Sequence, residues 1–123
     1  ASCQSLAKCA QEALTQVGLG DRPDHFPAQL SAGEQQRLAI ARALAPGPFL
    51  LLADEPTGNL DPQSSASVMD LLLQVNRQGT TVIVATHDPA IVNSARRRVV
   101  ALREGRIISD TPRGTYPDDL GRD

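Results

Sequence analysis

Residues 50–61 read LLLADEPTGNLD. An apolar run stops at two adjacent acids, Asp54 and Glu55, and a proline, a glycine and a third acid, Asp61, follow within six residues. With Phe49 included, residues 49–53 are continuously apolar, the pattern of a strand buried on both faces of a sheet. Such a strand holds carboxylates rigidly at its tip. One of them can hold a magnesium ion, usually through the water shell, and the other can orient or deprotonate a water for attack on a phosphoryl group. Successive strand side chains point to opposite faces, so the two acids are expected to divide the work: Asp54 suits the metal and Glu55 the water. The plainer alternative is a strand terminus that runs into an acidic turn.

Working outward, Asp61-Pro62 reads as a helix N-cap followed by proline at the first helical position. Val68, Leu71, Leu72 and Val75 form the buried stripe of that helix. Residues 80–86, TTVIVAT, are a second buried strand, and Asp88-Pro89 opens a short helix. RRVVAL and RIISD flank Glu104-Gly105, a hairpin with a tight glycine turn. The stretch from Thr111 to Asp123 is rich in Pro, Gly and Asp and reads as irregular or frayed. On the other side, residues 4–17 carry a helical apolar period that stops at Gly18, and GLGDRPDHFPAQ is a loop. Ser31 with Glu34 forms a capping box for a helix that continues through Leu38, Arg42 and Leu44 until Pro46-Gly47-Pro48 breaks it.

The order strand, helix, strand, helix, hairpin predicts an α/β core: parallel strands with flanking helices and a C-terminal β-hairpin. Ligands in such sheets gather at the carboxyl ends of the strands, where Asp54, Glu55 and His87 all fall. His87 either donates to a phosphate oxygen or an attacking water, or simply caps the turn. Asp61 either contacts a neighbouring subunit or caps its helix. The entrance of LSAGEQQRLAIARAL, residues 30–44, exposes the backbone amides of Ser31, Ala32 and Gly33. Orphan N–H groups there attract phosphate, and an ordinary capped helix is the bland alternative.

Composition limits the rest. The 123 residues are 41% hydrophobic, enough for one compact domain and too few for two ordinary ones. The formal charge is -2, so there is no global pull toward nucleic acid. Arg96, Arg97 and Arg98 abut an apolar stretch and read as a solvated strand entrance. No apolar run approaches the ~20 residues of a membrane helix. Cys3 and Cys9, the only cysteines, read as free thiols, because two positions six apart on one helix would not face each other.

Taken together, these segments resemble the ATP-binding subunit of ABC transporters. LSAGE at 30–34 resembles the signature loop, LLLADE at 50–55 the Walker B strand with its catalytic glutamate, GNLD at 58–61 the D-loop, and His87 the switch histidine. ADEPTGNLD preceded by FPAQLSAGEQQR is most similar to the ATPases of lipoprotein release, macrolide export and cell division. The resemblance implies a partial P-loop NTPase core. Residues 1–45 would be the end of the helical subdomain with the signature, 46–110 the core, and 111–123 a tail. It further implies ATP and Mg2+ as cofactors of the complete domain, and a head-to-tail dimer with a second ATPase domain. A transmembrane permease and a place on the cytoplasmic face of the membrane follow from it as well. In that dimer Ser31, Ala32, Gly33 and Glu34 would face the gamma phosphate of a nucleotide held by the partner. Asp54 would organise magnesium, Glu55 would polarise water, His87 would contact the gamma phosphate and Asp61 would span the dimer.

Two departures stand out. Ala32 occupies a position where the family pattern has glycine. More important, a phosphate loop needs G-x-x-x-x-G-K-[ST], and the sole lysine, Lys8 in QSLAKCAQ, has no such context. The resemblance therefore covers about the second half of a family domain. A chain of this kind is expected to bind no nucleotide alone and to be inactive alone. Three readings follow: a fragment of the parent ATPase, a non-catalytic interaction half-domain, or half of an ATPase completed by a chain that carries the phosphate loop. Unpartnered sheet edges and a bare core face predict self-association.

Overall fold

The computed structural model describes residues 5–21 and 30–118. They fall into two compact units, divided between Ala85 and Thr86. The loop expected over GLGDRPDHFPAQ lies mostly outside the described residues.

The first unit opens with α1 (Leu6–Gln16), whose N-cap Ser5 accepts through its hydroxyl from the Lys8 N–H. Only Ala13 and Leu14 of this helix reach the core, and Leu6 is exposed. Cys9 is disulfide-bonded, which overturns the expectation of free thiols. The spacing argument failed because the helix starts at Leu6 and so cannot fix where residue 3 lies; Cys3 itself is outside the described residues.

α2 (Ala32–Leu44) carries the complete capping box. Ser31 Oγ accepts from the Glu34 N–H at 3.2 Å, and the Glu34 carboxylate accepts from the Ser31 N–H at 3.1 Å. β1 (Leu50–Asp54) leads to α3 (Pro62–Arg77), where Asp61 is the N-cap and Pro62 the first residue. Val68, Leu71, Leu72 and Val75 are its buried stripe, as their spacing predicts. β2 (Thr81–Ala85) then pairs parallel to β1, with Leu52 opposite Ile83 and Asp54 opposite Ala85.

One face of this two-stranded sheet, Leu51, Ala53, Val82 and Val84, joins Ile40, Ala41, Val68, Leu72 and Val75 in a single core. The described helices of this unit leave the opposite face open. Leu50, Leu52 and Ile83 are 37%, 69% and 54% exposed, and Phe49 is exposed beside them. The expectation of strands buried on both faces is thus wrong for this chain. A continuous apolar run reports that both faces were selected to be dry, and the helices described here cover only one.

The second unit contains α4 (Pro89–Ala95), β3 (Val99–Arg103) and β4 (Arg106–Thr111). β3 and β4 form the expected antiparallel hairpin, with an irregularity between Ala101 and Leu102. Glu104 and Gly105 both adopt positive φ, +51° and +76°, the backbone a two-residue turn of the mirror type requires. Arg98 and Asp110 form a two-pronged ion pair at the open end of the hairpin, with nitrogen–oxygen distances of 2.9 and 2.6 Å. The segment after β4 is better anchored than its composition predicts: Gly114 N–H donates to Arg97 O at 3.1 Å and Tyr116 N–H to Asn93 Oδ1 at 2.7 Å.

Candidate functional site

β1 delivers Asp54 as its last residue, exposed at the carboxyl edge of the sheet. The ladder continues for one more bond, in which Glu55 N–H donates to Ala85 O at 2.7 Å. At the same residue the backbone swings left-handed, with φ +47° at Glu55. For a residue with a Cβ that conformation costs roughly 1–2 kcal/mol, and strain of this kind persists only where the surroundings over-determine it. The surroundings are plain to see. Pro56 and Thr57 are buried, Gly58 N–H returns to Glu55 O at 3.1 Å, and Leu60 N–H returns to Thr57 O at 3.3 Å. The half-buried Glu55 thus opens the first of two successive turns, 55–58, and the second, 57–60, follows directly.

This corrects one step in the reading of the sequence. Alternation along a strand does not set where the Glu55 side chain points, because Glu55 has already left the strand. A tight turn locked by its neighbours separates it from Asp54 instead. Left-handed residues other than glycine leave no strong mark in a sequence, so the feature was not legible there.

A few residues on, Asp61 caps α3. Its carboxylate accepts from the Ser64 N–H at 3.1 Å. The Ser64 side chain and then its backbone N–H hold the Asp61 carboxyl below its ordinary value. Ser64 also meets the entrance of α2. A Cβ built on Gly33 would lie 3.2 Å from both Cβ and Oγ of Ser64, and Gly33 is buried. Arg37, one turn further along α2, donates to Ser67 Oγ. The structure therefore brings the starts of α2 and α3 side by side, with Ser31 and Ala32 exposed at that edge. Ser64 was missed in the sequence; its spacing of three from the Asp61 cap was the available signal.

Ala32 is the first residue of α2 and exposed, so its methyl group meets neither backbone strain nor a packed neighbour. Glu34 uses its carboxylate in the capping box. His87 is exposed and follows β2 by two residues, within the second unit. Next to it Asp88 N–H donates to Thr86 Oγ1 at 3.0 Å, and Asp88 in turn caps α4. A recess of about 400 Å³ bordered by Thr15, Arg37, Ser67 and Asp70 includes none of the expected site residues.

Among the described residues no three His, Cys, Asp or Glu side chains gather to hold a metal by themselves. One exposed carboxylate such as Asp54 still fits magnesium, which keeps several waters and takes one or two carboxylates plus substrate phosphates. No described helix is long and apolar enough to cross a membrane.

Comparison with known proteins defines the class. The family model described as ABC transporter matches residues 4–58, and the architecture is that of an α/β P-loop NTPase-like ABC ATPase core. By sequence and by fold the chain matches the ABC transporter ATP-binding domain. Within it, similarity runs to the cell-division and macrolide-export ATPases. The cell division ATP-binding protein FtsE of Mycobacterium tuberculosis is 53% identical over 115 residues, 94% of this chain and 50% of that protein. The macrolide export ATP-binding/permease protein MacB 1 of Yersinia pestis is 53% identical over 98 residues, 80% of this chain and 15% of that protein. Among solved structures, cbiO1 of Clostridium perfringens, part of the ABC transporter complex cbiONQ, has a TM-score of 0.80 at 36% identity, over 86% of this chain and 43% of that one. The ATP-binding cassette MJ0796, in a dimeric post-hydrolysis state bound to ADP and Pi, has a TM-score of 0.73 at 38% identity, over 94% and 51%. The chain spans about half the length of the FtsE relatives it matches.

Proposed function

We propose that this chain supplies the signature, Walker B and switch elements of an ABC ATPase, and that the whole couples ATP hydrolysis to export across, or extraction from, a membrane. The observation that carries the reading is the left-handed Glu55 immediately after Asp54, at the carboxyl edge of the sheet. Asp54 would hold magnesium, which would supply positive charge to the substrate phosphates when bound. Glu55 accepts a proton from the attacking water as oxygen bonds to the γ phosphorus and the bond to the ADP oxygen breaks. His87 donates to a γ-phosphate oxygen. The amides of Ser31, Ala32 and Gly33, with Glu34 fixing their turn, face the γ phosphate of the nucleotide on the opposite subunit, and Asp61 reaches across the same dimer. The permease partner and a location on the cytoplasmic face of the membrane belong to this reading too.

The phosphate grip comes from a polypeptide corresponding to the remaining half of the relatives' length. No glycine-rich lysine loop lies within the 123 residues, and the open apolar face of β1 and β2 suits completion by such a segment. Calorimetry of this chain with Mg-ATP tests the dependence. The expected result is no measurable heat of binding; a micromolar dissociation constant for the chain alone would overturn it.

A further inference from the structure

His87 lies in the short link 86–88, outside both β2 and α4. Two side chains, one on either side of it, shape that link. Thr86 Oγ1 accepts from the Asp88 N–H at 3.0 Å, a turn of side chain onto backbone open to serine and threonine. The ring closed by this bond contains ψ of Thr86 and both φ and ψ of His87. Asp88, at the far end of the ring, is itself anchored to α4. Its Oδ1 accepts from the Ala90 N–H at 2.9 Å, and its carbonyl oxygen accepts from the Val92 N–H at 3.3 Å. Pro89 also keeps the residue before it extended, and Asp88 has φ −90° and ψ 108°. With residue 88 fixed in this way, the torsions of residue 87 are the freedom left in the link, and they are the ones the Thr86 bond encloses. Thr86 is half-buried, whereas His87 is exposed.

We propose that Thr86 is a positioning residue for His87: by holding the Asp88 N–H, its hydroxyl oxygen fixes the backbone torsions that set where the imidazole points. The role needs an acceptor on the γ position of residue 86. Serine keeps that acceptor, and valine keeps the branched shape without it. The effect on turnover rests on the reading of His87 as the donor to a γ-phosphate oxygen. The restraint on the His87 backbone does not.

The test has two arms. In the intact chain without nucleotide, NMR follows hydrogen exchange of the Asp88 amide and the amide-to-Hα coupling of His87, which reports its φ. Thr86→Val is expected to lose protection at Asp88 and to shift the His87 coupling toward a conformational average, and Thr86→Ser to keep both. Parent values in Thr86→Val would overturn the proposal, and so would loss of both signals in Thr86→Ser. In the second arm each variant is mixed with the half of the M. tuberculosis relative that lies outside the match, and ATP turnover is measured. Thr86→Val is expected to lower turnover about tenfold, with Thr86→Ser close to the parent. Thr86→Val/His87→Ala is expected to match His87→Ala alone, because a group that acts through His87 adds nothing once the imidazole is gone. A further loss in the double variant would mark Thr86 as merely structural and overturn the positioning role. If the parent mixture turns over no ATP, the reading of the whole site fails, and the nucleotide-free arm still decides whether Thr86 holds His87.

Discussion

Glu55 shows what a residue can hide from its own sequence. Its type and its place after an apolar run were enough to suggest work on a water. The left-handed backbone at this position was not legible, because the turn is closed by the Gly58 N–H and followed by buried Pro56 and Thr57, with no glycine at the strained position itself. Removing the Cβ should relax that strain. Glu55→Gly is expected to raise the unfolding free energy by about 1 kcal/mol, read as a higher urea midpoint, while removing the group proposed to accept the proton. A destabilised Glu55→Gly would mean that side-chain contacts of Glu55 outweigh its backbone cost. Gly33 is the complementary case: a Cβ there would lie 3.2 Å from Ser64 of α3, a neighbour that its own stretch of sequence does not announce.

Elements were legible where one local rule was strong. The capping box at Ser31 and Glu34, the Asp61-Pro62 start of α3 and the stripe from Val68 to Val75 needed only spacing. The hairpin turn needed only Glu104-Gly105. Its ion pair, by contrast, depends on cross-strand register shifted near Ala101, which no local pattern encodes. The pair makes a prediction in pH. The Arg98 guanidinium, chiefly through its hydrogen bonds, holds the Asp110 carboxyl below its ordinary 3.8. A carboxyl with a lowered folded value contributes stability that is present above its unfolded value and is lost as pH falls through the folded one. Stability should therefore drop more steeply below about pH 4 in the parent than in Asp110→Asn, measured by thermal melts across pH 2–6. Identical slopes would show that the exposed pair contributes nothing, as many surface pairs do.

At the scale of the whole molecule, the pattern of LLLA and TVIVA spoke for strands dry on both faces, and the structure leaves one face open. The mismatch has a physical reading: the strands were shaped for a larger sheet than these residues build, and the relatives are twice as long. Leu52 and Ile83, opposite each other in register, form the centre of the open face. The chain is expected to self-associate with rising concentration in analytical ultracentrifugation. Leu52→Glu with Ile83→Glu should reduce that association while the core on the other face persists. A monomer at every concentration in the parent would contradict the reading of this face as unfinished. Why the site is only partly legible follows from the same fact, since the chemistry proposed for Asp54 and Glu55 needs a phosphate grip that no motif within the 123 residues supplies.

That dependence is tested most directly by ATP turnover. The chain is mixed with the half of the M. tuberculosis relative that lies outside the match, and the parent is compared with Glu55→Gln. The account predicts Mg-dependent turnover in the mixture alone, falling by ~10²–10⁴ in the variant. Turnover that survives Glu55→Gln, or that this chain sustains unaided, would contradict it.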